Sequence, residues 1–255
     1  MTRMEWRNLR NGLLFASPYL VGFVALVLYP LVMSVYYSLC QFNIISPPVW
    51  VGLDNFRMLF TEDPLFWKSL YNTLIFTALS VPASLALSIA LAMLLNTKIP
   101  AMSVFRTVFF LPTIVPLVAS SVLWLWVLNA ENGLVNGMLR QFFGVEGPGW
   151  MADENWSKPS LVLMSLWGIG GAMVIFLAGL AEVPQSLYEV ADIDGAGLWQ
   201  KFRHVTFPML TPTILFNLVM GLISSFQYFT QVYVMTAGKG GPMHSTRLYP
   251  LCLYR

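Results

Sequence analysis

Five stretches of this chain carry no Asp, Glu, Lys or Arg: Asn11–Leu53 (43 residues), Ser69–Thr97 (29), Thr107–Ala130 (24), Pro159–Ala181 (23) and Val205–Gly238 (34). Each exceeds the roughly 20 apolar residues that cross a bilayer core. Lipid offers the backbone no hydrogen-bond partners, so such spans must be helices. The expected fold is therefore all-α, a polytopic membrane protein with five spans and lipid as its surroundings. The chain is 57% hydrophobic and 10% charged, which disfavours a cytosolic enzyme. The 26 charges crowd into the other 102 of the 255 residues, a density near the soluble-protein value of about a quarter. Ordinary aqueous surface thus alternates with lipid-spanning helix. The net charge of +2 and the lack of a basic tract give no reason to expect a nucleic-acid partner.

Arg3, Arg7 and Arg10 precede the first apolar run. That run, Leu13 to about Leu39, is too long for a signal peptide's apolar region and lacks a clear small-residue cleavage site. It reads as an uncleaved first span. Ser46-Pro47-Pro48 breaks the chain, and Asp54–Lys68 reads as an amphipathic segment on the membrane surface, ended near Pro64. The further spans are expected at about Leu70–Leu95, Val108–Leu128 (with Pro112 and Pro116), Leu161–Ala181 and Thr211–Met235, with a polar stretch, Glu131–Lys158, between the third and fourth. If the N-terminus is cytoplasmic, the inside segments 1–10, 98–106 and 182–204 hold seven Lys/Arg in 42 residues. The outside segments hold seven spread over a longer stretch. The density favours the N-terminus inside. Cys40 and Cys252 lie far apart, and their pairing stays open. No Cys/His cluster has metal-ligand spacing, and the Gly-x-x-x-x-Gly-Lys-Ser/Thr phosphate loop does not occur. His204 and His244 fall in loops and suit surface roles. No catalytic residue, metal or cofactor is expected.

The most informative segment is Pro184–Pro208. Ser186 followed by Glu189 has the spacing of a capping box, opening a short helix with Leu187, Val190, Ala191 and Ile193 as its apolar positions. Asp194-Gly195 ends it, since glycine accepts positive φ. A second short helix is expected from Leu198, Phe202 and Val205 at i, i+4 and i+7, before Pro208 and Pro212 lead into the fifth span. The pattern serves equally as an interfacial hairpin between spans or as a docking element for a cytoplasmic partner.

In the fifth span Asn217, Ser224, Gln227, Tyr228 and Gln231 share one stripe about 100° wide on an ideal helix. Amides, hydroxyls and an aromatic face suit an uncharged sugar. Such residues also hydrogen-bond across helix interfaces, and both readings stand. Trp167, with Gly168, Gly170 and Gly171, leaves room either for a ligand or for close helix packing. No span carries an ionised side chain, which weakens a proton- or sodium-coupled carrier. A membrane scaffold is the other alternative.

The run Glu189-Val190-Ala191-Asp192-Ile193-Asp194-Gly195-Ala196, followed by Val205 and Phe207-Pro208, resembles the signature Glu-Ala-Ala, three residues, Gly, nine residues, Ile-x-Leu-Pro. That signature marks permease subunits of binding-protein-dependent ABC importers. Val190, Val205 and Phe207 depart from it but stay apolar. Ala16-Ser17-Pro18-Tyr19-Leu20, Tyr29-Pro30, Val51–Phe56, Asn72-Thr73, Phe105-Arg106, Phe110-Leu111-Pro112 and Gly240-Gly241-Pro242 are similar to the carbohydrate-uptake branch, the first partner of the glycerol-3-phosphate, lactose and maltose type.

The resemblance implies a type I importer permease fold and a bacterial or archaeal inner-membrane location. Its implied partners are a second permease, two ATP-binding subunits and an extracytoplasmic solute-binding protein, with a sugar as solute. ATP hydrolysis would belong to the separate subunits. Glu189, Ala191, Asp194, Gly195, Ala196 and Pro208 would form the ATPase-coupling loop, with Glu189 meeting basic groups of the ATPase. The family's maltose member binds solute on the helix that carries Asn217–Gln231. Residues 1–68 would form an N-terminal span with an extracytoplasmic surface segment, and 69–255 the core transmembrane domain with the loop 182–208. The family normally has a sixth helix after Gly-Gly-Pro, so the chain reads as a permease stopped before its last helix.

Overall fold

The computed structural model describes residues 2–43, 45–97 and 99–254. Lys98 and Arg255, which enter the charge count, lie outside the described residues. The chain forms two compact units, Met1–Pro64 and Leu65–Arg255. The expected division after residue 68 falls inside the first turns of a long helix.

The first unit is one continuous helical rod followed by a small surface element. Helix α1 (Arg3–Phe23) runs through a five-residue π turn (Val24–Leu28) into α2 (Tyr29–Ser38). At about 1.5 Å per residue the 36 residues extend about 54 Å. The helix begins ten residues before the expected first span because Thr2 and Glu5 form a capping box: Glu5 N–H donates to Thr2 Oγ1, and Thr2 N–H donates to Glu5. The π turn has a local cause. Pro30 has no N–H and would crowd the carbonyl four residues back, and bonding Tyr29 N–H to Val24 O widens the preceding turn.

After the rod, β1 (Cys40–Gln41) pairs antiparallel with β2 (Val49–Trp50), with Cys40 opposite Trp50. This ribbon is the only non-helical regular element among the described residues. Helix α3 (Asp54–Thr61) follows. Its Asn55 amide donates to Ser38 O and Cys40 O, both at 2.9 Å, tying it to the end of the rod. The amphipathic segment therefore stops at Thr61 rather than Lys68. Pro64 starts the next helix instead of ending this one, as its fixed φ and missing N–H suit a first helical position.

In the second unit α4 (Pro64–Leu95) is unbroken for 32 residues. Its C-terminal carbonyl on Leu95 accepts from Arg106 Nη2 at 2.7 Å. The expected third span is not one rod. Helix α5 (Met102–Phe110) passes through a 3-10 turn (Leu111–Ile114) and an extended Val115-Pro116 into α6 (Leu117–Val127), a bend of 99°. Membrane helices tolerate prolines such as Pro112 and Pro116 when neighbouring helices re-satisfy the freed carbonyls. Here Pro116 pushes Val115 into extended backbone and the helix breaks.

The polar stretch that follows contains α7 (Leu134–Met138) and a π turn (Leu139–Phe143), which the sequence reading did not foresee. Buried Asn136 organises it, donating to Ala130 O at 2.8 Å and accepting from Trp150 Nε1 at 2.7 Å. The fourth span is also bent, by 50°, between α8 (Glu154–Trp167) and α9 (Gly170–Glu182). Then come α10 (Gln185–Ile193), α11 (Leu198–Lys201), a π turn (Phe202–Thr206), α12 (Phe207–Phe226), α13 (Thr230–Thr236) and α14 (Tyr249–Leu253). Among the described residues three helical runs, Arg3–Ser38, Pro64–Leu95 and Leu198–Thr236, are long and apolar enough to cross a membrane, or up to five if each bent pair counts as one span.

Two apolar cores hold the second unit. One gathers Phe76, Leu161, Met164, Val232, Leu248 and Leu251. The other gathers Ala92, Leu95, Met173, Phe176, Leu180 and Leu210. Gly170 permits the approach of α9 to α5, as a Cβ there would lie 2.3 Å from Phe109 O. Of the sequence-noted glycines, Gly170 is thus the packing one, whereas Gly171 faces open space. Both cysteines are free thiols.

Candidate functional site

Between the two cores lies a cavity of about 580 Å³. Three of its walls are places where a helix is interrupted: Pro112–Val115, Gly168-Ile169 and Gln227-Tyr228. Irregular backbone at membrane depth is tolerated where it is buried in protein or lines a cavity, and membrane transport sites are commonly formed by such broken helices. Trp167, Asn217, Ser224, Gln227, Tyr228 and Gln231 all line this one cavity. They are not on one helical stripe, however. Helix α12 stops at Phe226, and α13 starts only at Thr230. Gln227 and Tyr228 therefore reach the cavity from a break between helices. No proline or glycine marks that break in the sequence.

The aromatic members are held by neighbours. Tyr228 lies against Phe76 with ring centroids 4.7 Å apart, and Trp167 meets Trp124 edge-on at 6.1 Å. Asn217 is 7% exposed and donates to Thr213 O, one turn back on its own helix, at 2.9 Å. Among the described residues, the side chains of Ser224, Gln227, Tyr228 and Gln231 make no hydrogen bond. The bond that ties α4 to α12 is instead Thr77 Oγ1 to Ser225 Oγ, 3.0 Å, beside the close contact of Gly221 with Val81. The cross-helix bonding thus falls to Thr77 and Ser225, which the sequence reading did not single out.

The opposite wall was also missed. It is made by hydroxyls on α4 and α8, chiefly Ser80, Ser84 and Ser165. The once-per-turn recurrence of Thr73, Thr77, Ser80, Ser84 and Ser88 along α4 was the available signal. Every polar side chain lining the cavity is a neutral hydroxyl, amide or indole.

The loop 182–208 departs from expectation at the start of its first helix. Pro184, in extended backbone, takes the N-cap position of α10, and no side chain caps the helix. Ser186 is already inside the first turn, so the expected capping box with Glu189 does not form. The other end follows the sequence: Gly195 has φ +73°. Its N–H donates to Asp192 O (3.1 Å), and Ala196 N–H donates to Ala191 O (2.9 Å). These two bonds are a Schellman motif, in which the left-handed residue turns the chain and satisfies the last carbonyls.

Leu198 does not begin a separate short helix. Through α11 and the π turn the chain runs on into α12, so loop and span form one rod. Pro208 explains the π turn as Pro30 explains the first: Phe207 N–H bonds Phe202 O, five residues back. Tyr188 Oη and Thr206 Oγ1 share a hydrogen bond of 2.9 Å, and Lys201 pairs with Asp192, so α10 is tied to that rod. Glu189, Asp194, Gly195 and Pro208 are exposed, and Ala191 and Ala196 half-buried. Ile193 and Leu198 are 86% and 87% exposed, an apolar knob on either side of Gly195.

At the far end of α4, Asn72 and Thr73 hold the Gly-Gly-Pro loop. Asn72 Nδ2 donates to His244 O (2.9 Å) and Arg247 O (3.1 Å), and Tyr249 N–H donates to Thr73 Oγ1 (2.8 Å). Two sequence motifs about 170 residues apart are thus one structural unit.

A family model described as the binding-protein-dependent transport system inner membrane component matches residues 66–250. A probable ABC transporter permease protein, YesP of Bacillus subtilis, is 37% identical over 96% of this chain and 79% of its own length. The lactose transport system permease protein LacF of Rhizobium radiobacter is 36% identical, covering 96% of this chain and 82% of its own. In fold, the chain is similar to a crystal structure of a bacterial alginate ABC transporter in complex with an alginate pentasaccharide-bound periplasmic protein, with a TM-score of 0.75 at 24% identity over 98% of this chain and 89% of that one. The fold is that of a type I ABC importer permease. The chain belongs to the family of inner-membrane permease components of binding-protein-dependent ABC transporters.

Proposed function

We propose that this chain forms half of the translocation pore of an ATP-driven importer for an uncharged sugar or related glycoside. The observation that carries the reading is the cavity at the three helix interruptions. Trp167 and Tyr228 offer faces for a sugar ring, and Asn217, Ser224, Gln227 and Gln231 offer donors and acceptors whose partners are not other helices. A neutral lining avoids stranding a buried charge against a neutral solute. The similarity to a lactose permease supports the sugar class. A second permease would close the open side of the cavity, an extracytoplasmic binding protein would deliver the solute, and two ATP-binding subunits would power the cycle.

The N-terminus is assigned to the cytoplasm on Lys/Arg density, which places the loop 182–208 on the ATPase side. Its role is mechanical. Glu189 and Asp194 present charge, Gly195 shapes the turn between Ala191 and Ala196, and Pro208 stands where loop becomes span. A partner that binds the loop differently in two nucleotide states shifts the pore between two conformations. A proton- or sodium-coupled carrier is less well supported, because its coupling sites are typically intramembrane ionisable groups.

The test is uptake of radiolabelled lactose by proteoliposomes holding the assembled transporter. Gln227→Leu with Gln231→Leu is expected to reduce uptake at least tenfold while the complex still assembles. Failed assembly would instead make these amides interface groups, and unchanged uptake would remove them from the path.

A further inference from the structure

The first helix carries a site that the transport reading does not use. At about 100° per residue, Arg3, Arg7 and Arg10 fall within about 60° of one another on α1. Leu14, Ser17 and Val21 continue the same stripe toward the apolar body of the helix, and Trp6 stands at its edge. Arg3, Arg7, Arg10, Leu14 and Ser17 thus lie along one exposed face of the helix. No residue of α1 is buried, and Trp6, Leu14 and Val21 are 61%, 63% and 66% exposed. Among the described residues the three guanidinium groups have no ion-pair or hydrogen-bond partner. Because the helix is continuous from Arg3, the charges are presented as a fixed row.

We propose that this face binds a single anionic phospholipid, its phosphate held by Arg3, Arg7 and Arg10 and one acyl chain lying along Leu14 and Val21. The occupant follows from the order of groups along the helix. Three cations stand at the level where the charge-free run begins, an indole sits beside them at a depth where tryptophan is enriched, and hydrocarbon continues below on the same face. A soluble anion would use only the upper part, and a neutral lipid only the lower. Arginine favours phosphate because its planar fork donates two parallel hydrogen bonds. The proposal is independent of which solute the cavity carries.

The assay places the full chain, assembled with its partners, in nanodiscs of equimolar phosphatidylglycerol and phosphatidylcholine. Lipids retained after mild detergent extraction are counted by native mass spectrometry. Each basic residue near an anionic surface is worth roughly a fivefold change in binding, so the wild type should retain phosphatidylglycerol with at least about tenfold preference. The triple change Arg3→Gln, Arg7→Gln, Arg10→Gln should lose that preference, and Arg7→Gln alone should lower it about fivefold. A wash in about 1 M salt, where the Debye length is about 3 Å, should weaken the preference in the unaltered protein, which keeps the test decisive if the triple variant fails to insert. Equal retention of both lipids by the wild type, or a preference unmoved by both substitution and salt, overturns the proposal. So does loss of the ATP-binding subunits from the triple variant with lipid counts unchanged, which would assign the arginines to a protein partner. Displacement of the retained lipid by millimolar inorganic phosphate would refute the acyl-chain part.

Discussion

Replacing Gly195 separates two ways in which the loop could work. The residue stands at φ +73°, and a Cβ built there meets nothing within 4 Å. A side chain therefore costs nothing in collisions within the chain; its cost is conformational. Left-handed backbone costs an ordinary L-residue about 1–2 kcal/mol relative to its preferred region, and asparagine much less. Gly195→Ala should thus lower the population of the Schellman turn about fivefold to thirtyfold relative to competing loop shapes. Gly195→Asn should lower it only slightly, and Gly195→Val most of all, since β-branched residues fit this region worst.

ATP-dependent uptake and ATPase stimulation in the reconstituted transporter should fall in the order Gly, Asn, Ala, Val, while thermal stability of the isolated chain barely changes because the loop is exposed. Asparagine is larger than alanine, so this order cannot come from size. If activity instead falls with side-chain volume, with Asn below Ala, the glycine is needed for close approach of the partner, and the backbone argument is refuted. Equal activity across the series refutes both.

Asn72→Ala strands two loop carbonyls, at His244 and Arg247, and should destabilise the chain by about 2 kcal/mol, read as a lowered melting temperature in detergent. Gly170→Ala forces α9 away from the Phe109 carbonyl, at a cost of about 1–3 kcal/mol for overpacking; Gly171→Ala, which faces open space, is the control and should melt like the wild type. Thr77→Val should cost about 0.6 kcal/mol, the average for such bonds in membranes, and leave uptake per assembled complex unchanged, in contrast to the double glutamine variant.

The spans, the Gly195 turn and the resemblance carried by Glu189–Pro208 were all legible because each rests on local signals: runs without charge, a glycine needing positive φ, fixed offsets. The failures have a common physical origin in competition between local signals or in long-range packing. Ser186 and Glu189 have a capping spacing, but Pro184 sets the helix start two residues earlier. Pro64 was read as a stop when its missing N–H suits a start. The bend at Pro116 could be located but not judged, since membrane helices absorb many prolines. The interruption at Gln227 has no breaker residue at all, so the helical stripe was drawn through a point where the helix ends. The six candidate residues meet in one cavity nonetheless, because the break turns Gln227 and Tyr228 toward the same space. The pairing of Asn72 with the Gly-Gly-Pro loop spans more than 170 positions, and no periodicity in one sequence encodes such a distance.

The π turn at Phe202–Thr206 has a consequence for how movement passes along the last rod. A π turn is one residue inserted into a helix, and elsewhere such an insertion can slide along the axis or be expelled, each step rotating one side of the helix against the other by about 100°. Pro208 closes that option, because restoring an α turn there would drive its ring into the His204 carbonyl. The inserted residue is pinned. Torque applied at Leu198, where the rod begins, then has no slipping joint in which to dissipate before it reaches Asn217, about five turns away. The proline acts as a lock pin in a drive shaft.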